Sequence, residues 1–88
     1  MSRVDQAGRA ERRLVAMAND IADYFASAPD RATAVDGIVT HMRRYWVPRM
    51  RERICAHLAA GGAGLSDLAR SAVARLGAAD APARPGDP

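Results

Sequence analysis

The sequence predicts an all-α protein, a small bundle of three to four short helices with disordered tails. Apolar residues recur at three- and four-residue steps, the spacing of one helix face, through most of residues 11–77. No stretch alternates apolar and polar residues as a half-buried strand would, and there is no internal repeat. Prolines and glycines cut the pattern into segments of ordinary helix length.

Residues 1–10 carry Ser, Asp, Gln, Gly and Arg with little to bury, and are expected to form a disordered arm. A first helix begins near Glu11, with Leu14, Met17/Ala18, Ile21, Tyr24/Phe25 and Ala28 on one face and Asn19, Asp20 and Asp23 on the other. Pro29 stops it, because the residue before a proline is pushed out of the α region. Asp30 is placed to cap a second helix, whose apolar face is Ala34/Val35, Ile38, Met42 and Tyr45/Trp46. Gly37 inside it costs about 1 kcal/mol relative to alanine; it either marks a close helix crossing or is neutral.

Val47-Pro48 breaks the second helix and can start a third, since proline at the first helical position lacks only an N–H that has no intrahelical partner. That third helix carries Met50, Ile54/Cys55 and Leu58 inward and ends at Gly61-Gly62, residues suited to a left-handed C-terminal cap. Ser66 and Asp67 supply capping chemistry for a fourth, with Leu68/Ala69, Ala72/Val73 and Leu76 on one face and Gly77 closing it. Residues 78–88 hold three prolines and no large apolar side chain, and are expected to be a disordered tail. One helical domain, residues 11–77, lies between the two tails.

An 88-residue chain buries a modest fraction of its surface. Hydrophobic content is 49%, but much of it is alanine and aromatics reach only 5%, so the core is thin and a partner would support it. The formal net charge of +3 points to acidic partners. All thirteen basic residues are arginine, whose planar fork suits bidentate contacts to carboxylate and phosphate alike. A single cysteine, Cys55, excludes an internal disulfide. The first thirteen residues are polar with no apolar core, and no run approaches the roughly 18 apolar residues of a membrane span, so a soluble, cytoplasmic protein with no membrane contact is expected.

No residue constellation supports catalysis, cofactor binding or a metal site. Cys55 and His57 are two apart, which on a helix separates them by about 200° and keeps both from one ion; His41 and His57 are better read as structural and surface histidines. Cys55 lacks a base on its face, and Ser66 is a cap. Asp20 and Asp23 share a solvated face, without the burial that would split their pKa values. Gly61-Gly62-Ala63-Gly64 lacks both the preceding strand and the following Lys-Ser/Thr of a phosphate loop.

What stands out is the run His41-Met42-Arg43-Arg44-Tyr45-Trp46-Val47-Pro48-Arg49-Met50-Arg51, followed by Arg53. It holds the sole tryptophan, one of two tyrosines and four arginines, five with Arg53, the residue types that dominate binding hot spots. On a helix starting at Pro48, Arg49 and Arg53 are neighbours while Arg51 points elsewhere. Three readings are open: a solvated face, a small basic nucleic-acid-binding protein, or a protein-docking surface anchored by Tyr45 and Trp46 with arginines pairing to carboxylates. The ten acidic residues, several of them in the first two helices, count against nucleic acid.

Two segments carry a family resemblance. One is Leu14-Val15-Ala16-Met17-Ala18-Asn19-Asp20-Ile21-Ala22 followed by Tyr24-Phe25; the other is the run from His41 to Arg51, ahead of Ala56-His57-Leu58, a glycine-rich turn and Leu65. In this order they resemble the small delta subunit of NAD-dependent formate dehydrogenases, over about Glu11 to Leu76. The main departure is Val47, where the family commonly has an acidic or small polar residue. The resemblance implies a non-catalytic accessory subunit of a cytoplasmic complex, supporting assembly or stability of the catalytic alpha subunit. In that family the alpha subunit carries a molybdenum or tungsten bis-molybdopterin guanine dinucleotide centre and iron–sulfur clusters, while beta and gamma subunits supply FMN and further clusters. The residues expected at the partner interface are His41, Tyr45, Trp46, Pro48, Arg49, Met50 and Arg51, with Asn19 from the first helix.

Overall fold

The computed structural model describes residues 3–80. Helix α1 spans Arg3–Phe25, α2 Arg31–Tyr45, α3 Pro48–Ala59 and α4 Asp67–Asp80, with no strand among the described residues. Three boundaries differ from the sequence expectation, one of them the end of α1, which stops at Phe25 with Ala28 and Pro29 in the turn beyond it. Helix α1 starts at Arg3 rather than near Glu11, because residues 3–10 contain no proline and are mostly tolerable helix formers that extend the turn already established downstream. Helix α4 continues through Gly77 to Asp80. Residues 81–88 of the expected C-terminal tail lie outside the described residues.

Gly77 lies inside α4 instead of terminating it, facing Cys55 of α3, where a Cβ would sit at contact distance, 3.4 Å from Cys55 Sγ. Gly37 on α2 is different, because an added Cβ would lie 2.5 Å from the Phe25 ring and something would have to shift. The close-crossing alternative therefore holds for Gly37, and its propensity cost is offset by the ring it admits.

Helix α4 is the centre of the bundle, packing most extensively on α2, then on α3, and also on α1. Its inner face is Ala69, Ala72, Val73 and Leu76, all fully buried, and it meets Ile38 and Met42 of α2 and Ile54 of α3, also fully buried. With alanines at two of four inner positions the helices can approach closely, which is how a sequence poor in aromatics still closes a core. Every buried residue is apolar. Outside this core, the Arg31 guanidinium donates to Ser71 Oγ at 2.7 Å and meets Asp67 Oδ2 at 3.2 Å, and Arg75 pairs with Asp36. These pairs are more than half exposed, so each contributes at most about 1 kcal/mol and fixes the α2/α4 register more than it holds the fold.

The helix ends follow local chemistry. Asp30 caps α2, its Oδ1 accepting the Thr33 amide at 2.7 Å, and that hydrogen bond, with a smaller one from the Thr33 hydroxyl, holds its carboxyl below the ordinary range. Helix α3 ends in a Schellman motif: the Gly62 amide donates to the His57 carbonyl at 2.9 Å and the Gly61 amide to Leu58 at 3.0 Å. Gly61 at φ 123° and Gly62 at φ 66° lie in the left-handed region this closure requires. Ser66 caps α4, its Oγ accepting the Ala69 amide at 3.2 Å.

Between α2 and α3 the chain makes its sharpest corner. Trp46 leaves the helix at φ −87°, ψ 132° while its amide still donates to the Met42 carbonyl at 2.9 Å. Val47, held extended by the proline that follows, is the N-cap of α3, and Pro48 is its first residue. The turn swings the Trp46 side chain inward, where it is 4% exposed within the core. Of the two places open to Trp46, partner face or core, the structure shows the core: it lies where the α2 face would continue, and a ring this large offers the thin core its biggest apolar volume.

Two stability predictions follow from the corner. Trp46→Ala should cost about 3–5 kcal/mol of folding free energy, read as a loss of urea midpoint on the isolated chain. Val47 makes no side-chain cap bond to α3. Val47→Asp supplies one and should stabilise the chain by about 1 kcal/mol, raising Tm by roughly 4–8 °C.

Candidate docking surface along the first helix

Arg9, Arg13, Met17, Ile21 and Tyr24 are spaced by three or four along α1 and so form one line down the helix. Opposite that line stand the end of α2, the corner and the start of α3. Two grooves open between the walls. The first, about 610 Å³, lies between α1 and α3; its floor is Leu14, Met17, Val47 and Met50, and its rim is Arg9, Arg13, Arg49 and Arg53. The second, about 410 Å³, lies between α1 and α2 and is lined by Asp20, Ile21, Tyr24, Phe25, His41 and Tyr45. Met17 of the first and Ile21 of the second are one turn apart, so the grooves run on from each other along α1.

The two halves differ in chemistry. Among the described residues no acidic side chain lines the first groove. Arg13, Arg49 and Arg53 have no hydrogen bond or ion pair among the described residues, so three guanidinium groups there are held in water over an apolar floor. The second half is an aromatic ridge. Tyr24 meets Phe25 edge-on at 5.1 Å, Phe25 meets His41 at 6.5 Å, and His41 tilts over Tyr45 at 4.8 Å. Arg44 stands 5.8 Å from the Tyr45 ring centre, within cation–π range. Among the described residues the exposed large hydrophobics are Tyr24 at 78%, Tyr45 at 66% and Val47 at 57%, and all three lie on this one surface.

Of the residues singled out in the sequence, Arg49 and Met50 line the first groove and His41 and Tyr45 the second, with Pro48 exposed at the corner between them. Trp46 is beneath the surface, in the core. The Arg51 guanidinium turns back, donating to the Trp46 carbonyl at 2.7 Å, and so satisfies one of the orphan carbonyls at the end of α2. Asn19 faces away from the grooves: its Nδ2 donates to the Gly64 carbonyl at 2.9 Å and its Oδ1 accepts the Ser66 amide at 2.8 Å. Both ends of that amide clip the α3–α4 loop onto α1. His57 joins the same clip, with Nε2 2.8 Å from the Ala63 carbonyl and Nδ1 3.4 Å from Glu11 Oε2, and so is not the free surface histidine the sequence suggests. From the far side, Arg70 donates to the Gly61 and Gly62 carbonyls at 3.0 and 2.9 Å.

Sequence reasoning missed Arg9, Arg13, Met17 and Tyr24 as surface partners of the Tyr45–Arg53 stretch. The signal was present in their spacing, but a helix begun at Glu11 leaves Arg9 out, and nothing in one dimension places α1 beside α3. Among the described residues no group of three or more His, Cys, Asp or Glu converges, and no helix is long and apolar enough to cross a membrane.

Removing the Asn19 clip tests its structural role. Asn19→Ala leaves the Ser66 amide and Gly64 carbonyl without their partner and should cost about 1–3 kcal/mol. Hydrogen exchange at the Ser66 amide should accelerate in that variant, whereas Asn19→Asp, which keeps the acceptor, should protect it in part.

A family model described as NADH-dependant formate dehydrogenase delta subunit FdsD matches residues 13–73. That span holds every core residue except Leu76, and all of the docking surface beyond Arg9 and Ala10. Comparison with curated proteins and with solved structures gives no match.

Proposed function

The chain belongs to the NADH-dependent formate dehydrogenase delta subunit family, and from that premise we propose that it is a non-catalytic accessory subunit that docks on the catalytic alpha subunit. Its role in this proposal is to support assembly or stability of that molybdopterin-containing subunit in a cytoplasmic complex with beta and gamma subunits. The molybdenum or tungsten bis-molybdopterin guanine dinucleotide centre, the iron–sulfur clusters and the FMN are assigned to those other subunits, none to this chain.

The observation that carries the docking role is the gathering of Tyr24, Tyr45 and Val47, with the groove arginines, on one side of a bundle whose other large apolar side chains are buried or half-buried. Exposed aromatics beside arginines, around an apolar floor, are the composition of a binding hot spot and a poor use of surface for a solitary domain. The anchors in this proposal are Tyr45, Tyr24 and Met50, ringed by His41, Pro48 and Arg49. Trp46 supports them from below by fixing the corner.

The test is co-purification of the complex. Tyr24→Ala/Tyr45→Ala should weaken association with the alpha subunit by about 2 kcal/mol, roughly 30-fold, while leaving the helical circular dichroism unchanged, since both rings are exposed. When the chain is omitted from co-expression, the alpha subunit should be recovered with a lower molybdenum or tungsten content or a lower soluble yield. Equal metal content and yield with and without it would refute the supporting role.

A further inference from the structure

The proposed docking role says that a partner covers this surface; the shape and charge of the surface say what kind of segment does so. Resting on that role, we infer that the channel along α1 receives an amphipathic helix of the partner, about four turns long, with carboxylates at the end between Arg13, Arg49 and Arg53 and apolar side chains at the end beside Tyr24 and Tyr45.

Length comes first. From Arg9 to Tyr24 the channel follows fifteen residue steps of α1, about 22 Å, which is the rise of about four helical turns. A trough between two helices accepts a third by the ordinary interlocking of side-chain ridges. Charge is next. Arg13, Arg49 and Arg53, without partners among the described residues, present forked donors across a groove in which no described acid takes part, and a fork of this kind pairs best with a carboxylate. The methionine floor, Met17 and Met50, adapts to whatever apolar residues lie between those carboxylates. Direction follows from the other end, where Asp20 borders the aromatic half and repels an acidic residue placed there.

The same features disfavour the alternatives. A second copy of this chain packed two-fold on the surface would set the arginine end of each channel against the aromatic end of the other, where Asp20 is the one carboxylate among the groove's described residues to meet several guanidinium groups. A nucleic acid needs a basic track along its whole contact, and here the four arginines of the first groove give way to Asp20 and an aromatic ridge on which Arg44 is engaged with the Tyr45 ring.

The experiment uses the full complex. With p-benzoylphenylalanine in place of Val47, at the junction of the two halves, irradiation followed by mass spectrometry should join this chain to an acidic amphipathic helix of a large subunit. A cross-link to a second copy, to nucleic acid or to a segment without carboxylates overturns the inference, and so does the absence of a cross-link in an intact complex. In parallel, Arg13→Glu/Arg49→Glu/Arg53→Glu should weaken association roughly tenfold or more, with rising salt weakening the wild type in the same sense. The corresponding triple lysine variant should keep most of the affinity, and Arg12→Glu, on the α1 face toward His57, should keep all of it. Triple-glutamate association equal to wild type overturns the inference and leaves the docking role standing. Failure of the wild-type chain itself to co-purify overturns the docking role. Should the glutamate variant lose its helical spectrum, the cross-link and the lysine variant's salt dependence decide.

Discussion

Pro48 has no amide hydrogen and holds the residue before it extended, and most of this structure depends on that constraint. Helix α2 has to end before it, so the chain turns within Trp46 and Val47. The turn drives the indole into the core and leaves the Trp46 carbonyl open, which Arg51, three residues into α3, then fills. It also sets the start of α3 alongside α1, so that Arg49, Met50 and Arg53 face Arg13 and Met17 across a groove. A continuous helix through residues 46–48 would abolish the core position of the tryptophan and the groove together.

The second constraint is the loop from Ala60 to Ser66, which is gripped by side chains from three helices: Asn19 of α1, His57 of α3 and Arg70 of α4. A glycine-rich connection has many conformations to lose on folding, and side-chain hydrogen bonds to its carbonyls and amides are the compensation. They also lock α4, the central helix, against α1. The polar groups of Asn19, His57, Arg51 and Arg70 are thereby spent inside the fold. The α1 channel keeps Arg13, Arg49 and Arg53, without partners among the described residues, beside the exposed Tyr24 and Tyr45, and the family match at residues 13–73 gives such a surface a multi-subunit setting.

A division of labour follows within the single run from His41 to Arg51. Alternate members go to opposite ends of the structure: Met42 and Trp46 inward, Tyr45, Arg49 and Met50 outward or half so, and Arg51 back onto the corner. One short segment thus builds the core, caps a helix and forms half of the docking surface. Its hot-spot composition and its structural necessity are two properties of the same residues, which is why composition alone cannot separate them.

The all-α class, the four helical segments, the breaks at Pro48 and Gly61-Gly62, and the caps at Asp30 and Ser66 were legible in the sequence, because each rests on contacts within a few residues; α1 ends at Phe25, ahead of the stop expected at Pro29. So was the family, through motifs that are themselves local. The fate of Trp46, Asn19, Arg51 and His57 was not legible, since periodicity assigns a face without saying whether core, loop or partner lies against it. Gly77 reads as a stop for the same reason, yet α4 runs through it to Asp80. The groove itself joins Arg13 to Arg49, residues far apart in the chain. Local chemistry decided where helices begin and end, and only the packing of α1 beside α3, long-range and set by the turn at Pro48, decided which side chains remain for a partner.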